Sequence, residues 1–293
     1  MPSHAFQRQH QHQHQHQLQQ QEQRESPQPP QEASHLPPAL SLPRAAFVYT
    51  RCYCEENVYL LLAKLQTLLI SSSSGSPGQL SALFISNKIK TCPVWGQLAA
   101  GEDGSKNVER KDEREYKETG HKEHFDGDDN DDNEERERSP VLWDYHVVAL
   151  LETGDSAAFI YDLDTRLEPF PCPASEYVAR AFRPDIPMKE EYRQRFRLVP
   201  FVPIFRDSFA CDRSHMRRPD GSWNAPPPAY PPIRGSRAAS PMTLPLFWNV
   251  DDQGEERIGG GRGGELGEIL SLADLQARVG AGRGGEDVLY QRR

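Results

Sequence analysis

The amino-acid sequence predicts a single α/β domain of the α+β type, in which helices flank a mainly antiparallel sheet. Residues 55–69 place apolar side chains at helical spacing. Residues 141–151 and 157–163 are two apolar runs joined by a short polar segment that contains Gly154 and Asp155, a pattern typical of a β-hairpin. Shorter runs of branched and aromatic residues elsewhere supply further strands.

The composition indicates that only part of the chain folds. Of 293 residues, 36% are hydrophobic, with 25 Pro and 21 Gly, which is lean for one large domain. The Gln-, His- and Pro-rich residues 1–43 and the charged residues 101–139 lack the apolar surface that would offset ordering entropy. We therefore expect a disordered tail at 1–43, a disordered insertion at 101–139, one catalytic domain in 44–100 and 140–280, and a flexible C terminus at 281–293.

The charge pattern argues against nucleic acid and membrane as partners. The formal net charge is −9, and residues 101–139 hold 16 of the 43 acidic and 8 of the 34 basic side chains, so the rest of the chain is near neutral. Phosphate binding needs clustered positive charge. No run of about 18 apolar residues occurs, as a transmembrane helix would require.

The cysteines indicate the cellular compartment. There are five, an odd number, and no secretory segment opens the chain. These features favour a reducing compartment, so we expect the protein in the cytoplasm, and in the nucleus as well. We also expect it to be a monomer.

The remaining elements follow in order along the chain. Glu55 and Glu56 lie in the first turn of the predicted helix, where acidic side chains are favourable. Strands are predicted at 80–86, 92–98 and 196–202, and helices at 174–182, 204–210 and 270–279. Pro and Gly mark 217–241 and 258–267 as loops.

Three residues suggest nucleophilic chemistry. Cys54 lies immediately before the helix, where unpaired backbone N–H groups and the helix dipole favour a thiolate. His146 is predicted in mid-strand, and Asp162 falls 16 residues later on the second hairpin strand, roughly opposite His146 if the turn centres near residue 154. Cys, His and Asp in this order occur in papain-like and transglutaminase-like folds, where the carboxylate orients the imidazole.

Each of these residues also has a structural interpretation. A lone Cys is more often a small buried hydrophobic residue, and a lone strand His is usually structural. Zinc is disfavoured because Cys52 and Cys54 are too close in sequence for a typical ligand pair, and no second Cys or His pair completes four ligands. A faint calcium-loop pattern at 126–135 fails because Asp131 occupies the position of the sharp-turn glycine.

Six segments carry a family resemblance. Residues 52–58 (CYCEENV), 84–87 (FISN), 143–148 (WDYHVV), 159–165 (FIYDLDT) with 169–172 (PFPC), and 212–216 (DRSHM) resemble the protein N-terminal glutamine amidohydrolase family. The resemblance covers roughly residues 45–100 and 140–235, and is weaker to about residue 280. It implies a papain/transglutaminase-like sandwich with catalytic Cys, His and Asp at Cys54, His146 and Asp162.

The resemblance also implies an activity, the hydrolysis of the side-chain amide of N-terminal glutamine to glutamate through a cysteine thioester, with no cofactor. Its partners would be proteins or peptides with a free N-terminal Gln. The product would enter a degradation pathway that recognises N-terminal residues. Selecting a chain terminus requires a carboxylate for the α-ammonium, and Glu55, Asp144 and Asp164 are the candidates, among which the sequence does not choose.

Two alternatives stay open at this point. A papain-like peptidase or a transglutaminase would use the same three residues on internal amides or with an amine acceptor. A non-enzymatic interaction protein would use the tail and the acidic insertion and leave the three residues idle.

Overall fold

The computed structural model describes residues 36, 40–71, 78–101, 139–250 and 266–280. The predicted tail at 1–43 and insertion at 101–139 lie almost wholly outside these residues, and the C terminus at 281–293 lies entirely outside them. All described helices and strands belong to one compact unit within residues 37–293. None of the helices in these ranges is long and apolar enough to cross a membrane.

The secondary structure elements are as follows. The strands are β1 (Gln79–Ser86), β2 (Cys92–Val94), β3 (Val141–Trp143), β4 (His146–Glu152), β5 (Ala158–Tyr161), β6 (Cys172–Pro173), β7 (Arg195–Pro200) and β8 (Glu268–Leu270). The α-helices are α1 (Cys54–Ser71), α2 (Ala174–Phe182), α3 (Arg206–Ser208), α4 (Leu244–Trp248) and α5 (Leu272–Gly280). Short 3-10 turns occupy Arg44–Ala46, Leu98–Gly101, Glu190–Tyr192 and Ser214–Met216.

A six-stranded sheet in the order β6-β5-β4-β1-β7-β8 forms the centre of the fold. Every neighbouring pair in it is antiparallel. β2 and β3 form a separate antiparallel pair. The predicted α/β fold with a mainly antiparallel sheet and flanking helices is confirmed.

Helices cover both faces of the sheet. Successive strand residues point to opposite faces, so both faces present apolar side chains that must be buried. One face packs Leu83, Val148, Ile160 and Phe196 against α2 and α5. On the other face α1 packs on β1 and β4, beside a group of aromatic side chains: Tyr59, Phe84, Phe201, Phe205, Phe209 and Phe247. Burial on both faces holds the start of α1 and the start of β4 in fixed positions.

The predicted continuous strand at 141–151 is wrong, because the chain breaks at Asp144 and Tyr145 into β3 and β4. The Asp144 carboxylate accepts the Tyr145 backbone N–H at 2.9 Å, and the Asp144 carbonyl accepts the Ser86 hydroxyl at 2.9 Å. Such local side-chain bonds compete with ladder pairing. His146 is therefore the first residue of β4 and not a mid-strand residue.

The hairpin register also differs from the prediction. Thr153 donates its backbone N–H to Ala157 O at 2.8 Å, so the turn centres on Asp155, and the ladder pairs Ala149 with Tyr161. Because the turn lies one residue later than expected, His146 and Asp162 are diagonal neighbours instead of opposite ones.

Smaller differences appear at other strand ends. The strand predicted at 92–98 stops at Val94, because Gly96 has φ +67° and Leu98 begins a 3-10 turn. Helix α5 begins later than the predicted residue 270, since residues up to Leu270 pair with β7 as β8. Helix α4 was not predicted from the sequence.

Candidate active site

A sharp turn presents Cys54 as the first residue of α1. Cys52 has φ +67°, and the Asn57 side chain fixes the turn by accepting the Thr50 N–H and donating to the Thr50 carbonyl, each at 2.8 Å. The sulfur therefore lies at the helix N terminus, where backbone N–H groups have no intrahelical acceptor.

The Cys54 thiol is buried, with 8% of the residue exposed. Burial and the charges of Glu55 and Asp164 raise the pKa of Cys54 well above its ordinary value, against a lowering by a hydrogen bond from the Val147 backbone. The resting group is thus the neutral thiol, contrary to the expectation from the helix dipole alone.

His146 and Asp162 form a buried pair. His146 Nε2 lies 3.0 Å from Asp162 Oδ1, and both side chains are fully buried. Asp162 Oδ2 accepts the Gln97 amide at 2.9 Å and the Tyr177 hydroxyl at 2.7 Å, and Oδ1 accepts the Asp164 N–H at 2.9 Å. Burial would raise the pKa of Asp162, but the charge and hydrogen bond of His146 and the hydrogen bonds from Gln97 and Tyr177 lower it.

The second nitrogen of His146 is left for another partner. Nδ1 is buried and has no hydrogen-bond partner among the described residues. A neutral ring that donates Nε2–H to Asp162 carries its lone pair on Nδ1. Trp143 stacks on the ring at 5.1 Å and 16° and fixes its plane. Burial lowers the pKa of His146, but the Asp162 charge and hydrogen bond outweigh it and raise the pKa.

A second polar group surrounds Glu55, whose side chain is 0% exposed. Glu55 Oε2 accepts the Tyr145 hydroxyl at 3.0 Å and lies 3.7 Å from the Cys54 sulfur. Glu55 Oε1 lies 3.7 Å from His215 Nε2 and 3.8 Å from the Cys211 sulfur. Burial raises the pKa of Glu55 to about 7.

Aromatic rings complete this region. The Trp248 ring lies 4.8 Å from the Tyr145 ring and 5.9 Å from the His215 ring. A carboxylate beside aromatic faces is an arrangement that suits an ammonium group.

A buried ion pair holds residues 211–216 against the start of α1. Arg213 Nε and Nη2 each lie 2.8 Å from the Glu56 carboxylate, and Arg213 also donates to the carbonyls of Pro228 and Tyr230. The Tyr53 hydroxyl donates to Ala225 O at 3.1 Å. These bonds keep His215 next to Glu55.

The structure places the three predicted α-ammonium ligands differently. Glu55 is buried beside Cys54, whereas Asp144 is exposed at the β3–β4 break. Asp164 is 7% exposed and accepts the Tyr49 hydroxyl at 2.5 Å. All three carboxylates lie near enough to raise the pKa of Cys54.

Sequence reasoning assigned no role to Gln97, Tyr145, Tyr177 and His215. Tyr145 and His215 lie inside segments that carry the family resemblance, so their motifs were the available signal. Gln97 and Tyr177 carried no sequence signal, because they lie 65 and 15 residues away from Asp162 along the chain.

Two groups of three side chains in the described ranges have ligand atoms close enough to share a metal ion. They are Glu55, Cys211 and His215, and His146, Asp162 and Asp164. In the second group, both Asp162 oxygens are already occupied by hydrogen-bond donors.

Comparison with known proteins places this chain in a family. Residues 49–108 and 130–279 match the family model described as N-terminal glutamine amidase. The chain is 36% identical over 225 residues to protein N-terminal glutamine amidohydrolase of Bos taurus, covering 77% of this chain and 87% of that protein. The same-named human protein is 36% identical over 219 residues, covering 75% and 85%. That of Arabidopsis thaliana is 35% identical over 196 residues, covering 66% and 72%.

Proposed function

The chain belongs to the N-terminal glutamine amidase family, a family of amidohydrolases, and from this premise we propose that it deamidates the N-terminal glutamine of proteins and peptides to glutamate, releasing ammonia. The observation that carries the proposal is the buried His146–Asp162 pair, at 3.0 Å. His146 begins β4, the strand that packs against α1, and Cys54 is the first residue of α1. This arrangement supports Cys54 as the nucleophile, His146 as acid and base, and Asp162 as the group that orients the imidazole.

In the first half-reaction, His146 Nδ1 takes the proton of the neutral Cys54 thiol as the sulfur attacks the carboxamide carbon. The developing oxyanion accepts the Cys54 backbone N–H, a contact worth about 3 kcal/mol in comparable sites. As the C–N bond breaks, the imidazolium protonates the amide nitrogen, which leaves as ammonia. The product of this half is a thioester between Cys54 and the glutamyl side chain.

In the second half-reaction, His146 Nδ1 removes a proton from water, and the hydroxide attacks the thioester carbon. The C–S bond breaks, the sulfur takes the proton back from His146, and N-terminal glutamate leaves. Asp162 accepts Nε2–H throughout and stabilises the imidazolium that forms in each half. Gln97 and Tyr177 hold the Asp162 carboxylate in place for this task.

Glu55 is the proposed acceptor of the substrate α-ammonium. Of the three candidate carboxylates, it alone is fully buried while lying 3.7 Å from the Cys54 sulfur. Tyr145 orients it, and the rings of Tyr145 and Trp248 offer aromatic faces beside it. An acetylated or internal residue has no positive charge to place there, which explains selection for a free terminus.

The burial of Cys54 favours this activity over cleavage of internal peptide bonds. The segment after Cys211 lies against the start of α1 through Arg213 and Tyr53. A chain end can enter such an enclosed site, whereas an endopeptidase needs an open groove along which a chain passes. We also propose, from the resemblance, that the product feeds a degradation pathway that recognises N-terminal glutamate, in the cytoplasm.

The test compares three peptides that differ only at the first residue: N-terminal Gln, N-terminal Asn and N-acetylated Gln. Ammonia release and the mass gain from exchanging amide nitrogen for oxygen are measured, with Cys54→Ala as the control. The proposal expects ammonia from the free Gln peptide only, abolished by Cys54→Ala. Turnover of the acetylated peptide, or backbone cleavage, would assign a general amidase or a peptidase. No turnover at all would favour an interaction protein.

A further inference from the structure

Glu55, Cys211 and His215 meet at the start of α1 although Glu55 and Cys211 are 156 residues apart in the sequence. The Glu55 Oε1 atom lies 3.8 Å from the Cys211 sulfur and 3.7 Å from His215 Nε2, and the sulfur lies 3.9 Å from His215 Nδ1. One ligand atom from each residue fits within a mutual distance of 4.8 Å. Cys211 has no part in the proposed deamidation, so its position here is unexplained by that activity.

The ligand atoms are close enough to share one ion, although they lie farther apart than in a tetrahedral metal site. Bonds of about 2.3 Å to sulfur and about 2.0–2.2 Å to nitrogen and oxygen place tetrahedral ligands about 3.4–3.6 Å apart. The 3.7 and 3.9 Å distances involve different nitrogens of His215, and only one of them can bind the ion. With one atom from each residue, the three ligand atoms lie within 4.8 Å of one another, so the widest pair exceeds tetrahedral spacing by up to about 1.3 Å. Rotation of the Glu55 and His215 side chains has to close this gap. Thiolate, imidazole and carboxylate together are a donor set that Zn²⁺ accepts, and three protein ligands leave a fourth position open.

The surroundings also meet the needs of a zinc site. The Tyr145 hydroxyl contacts Glu55 at 3.0 Å and His215 Nε2 at 3.4 Å, so it is an outer-shell partner of both ligands when His215 binds the ion through Nδ1. The His215 side chain is 17% exposed and gives the ion a path from solvent. The buried Cys211 thiol is no obstacle, because a coordinated thiol releases its proton to solvent.

We propose that Glu55, Cys211 and His215 form an inhibitory Zn²⁺ site. Zinc there occupies the carboxylate that binds the substrate α-ammonium, and it excludes a second positive charge from the same pocket. The ion therefore competes with the substrate for the free enzyme. The binding stands on the geometry alone, whereas the competition rests on the proposed function.

The site is tested on the full-length protein with Co²⁺ as a spectroscopic probe. Co²⁺ bound through a thiolate shows a sulfur-to-metal charge-transfer band, which His ligands in the Gln- and His-rich tail do not give. We expect the band in wild type and in Cys54→Ala, and its loss in Cys211→Ser. A band that persists in Cys211→Ser, or that disappears only in Cys54→Ala, overturns the proposal, as does a wild type without a band.

The inhibition is tested with Zn²⁺ on deamidation of the Gln peptide. Cys211→Ser should keep the metal-free activity, since a hydroxyl can replace the thiol beside Glu55. It should weaken zinc inhibition at least about 10- to 100-fold, the range that even outer-shell changes produce. Undiminished inhibition would mean that zinc acts on Cys54 and would overturn the inhibitory role. If no deamidation occurs, the cobalt band still decides the metal site.

Cys211→Ala provides a second variant in case serine disturbs the fold. It should also lose the cobalt band, with a thermal unfolding midpoint close to that of wild type. A folded Cys211→Ala protein that keeps the band contradicts the site as firmly as Cys211→Ser would.

Discussion

Replacing Glu55 by Gln removes one negative charge from the pocket and preserves the shape of the side chain. Glu55 is 0% exposed and lies 3.7 Å from the Cys54 sulfur, so a bound α-ammonium would pair with it away from water. A hydrogen bond to a charged group contributes about 1.5–3 kcal/mol. At about 1.36 kcal/mol per factor of ten, kcat/KM for a Gln peptide should fall about 10- to 150-fold.

The assay is a thermodynamic cycle that combines one change in the enzyme with one change in the substrate peptide. One peptide begins with Gln, and its twin carries the same side-chain amide but has hydrogen in place of the α-amino group. Wild type should prefer the Gln peptide, and Glu55→Gln should lose most of that preference, since the charge it removes has no partner in the twin.

Asp164→Asn is the matched control, because Asp164 is also buried near Cys54 but is engaged with Tyr49. It should change kcat/KM for both peptides by the same factor. The reasoning is refuted if Glu55→Gln slows both peptides equally, for Glu55 would then act on Cys54 and not on the α-ammonium. It is also refuted if Asp164→Asn, instead, removes the preference.

Three further outcomes follow from the same contacts. In Asp162→Asn, kcat should fall about 10⁴-fold. Wild-type kcat/KM should rise with pH as His146 loses its proton, at a pKa that Asp162 raises above its ordinary value. In the variant only the Asp164 charge still opposes the lowering by burial, so a pH profile of kcat/KM should show this rise at lower pH. Arg213→Ala leaves the Glu56 charge buried and unpaired, so urea unfolding should show a free energy of unfolding lower by about 3–5 kcal/mol. A decrease below about 1 kcal/mol is what an exposed ion pair would give, and it would contradict this expectation. Tyr177→Phe removes a 2.7 Å bond to Asp162 and should lower the free energy of unfolding by about 1.5–3 kcal/mol, and an unchanged value would count against that bond.

Elements with a strong local pattern were predictable from the sequence. Apolar residues at helical spacing predicted helix α1 to within two residues at each end. The polar segment between two apolar runs predicted the β4–β5 hairpin, and helix α2 was predicted with its observed bounds. These patterns involve only residues that are close together in the sequence, so the sequence alone is enough to predict them.

The break at Asp144 and the pocket around Glu55 could not be predicted in the same way. The break depends on the Ser86 hydroxyl, which comes from a strand 58 residues away. The pocket depends on the Arg213–Glu56 pair, which brings His215 to Glu55 across about half the chain. No local pattern records which distant segment will pack there.

The proposed pairing of Cys54, His146 and Asp162 came from their order and from the family resemblance, and the roles of these residues stay predictions. The structure adds that His146 presents a buried Nδ1 without a partner among the described residues, and that Asp162 is held by three other donors. These features make the mechanism specific enough to test at the level of one bond.

The most direct test of the account is to trap the thioester. The enzyme is mixed with a Gln peptide, quenched in acid within the first turnover, digested and examined by mass spectrometry. The account predicts a fragment containing Cys54 whose mass has increased by that of the peptide less one ammonia, and no such fragment from Cys54→Ala. An adduct on another residue, or deamidation that proceeds undiminished in Cys54→Ala, would contradict it.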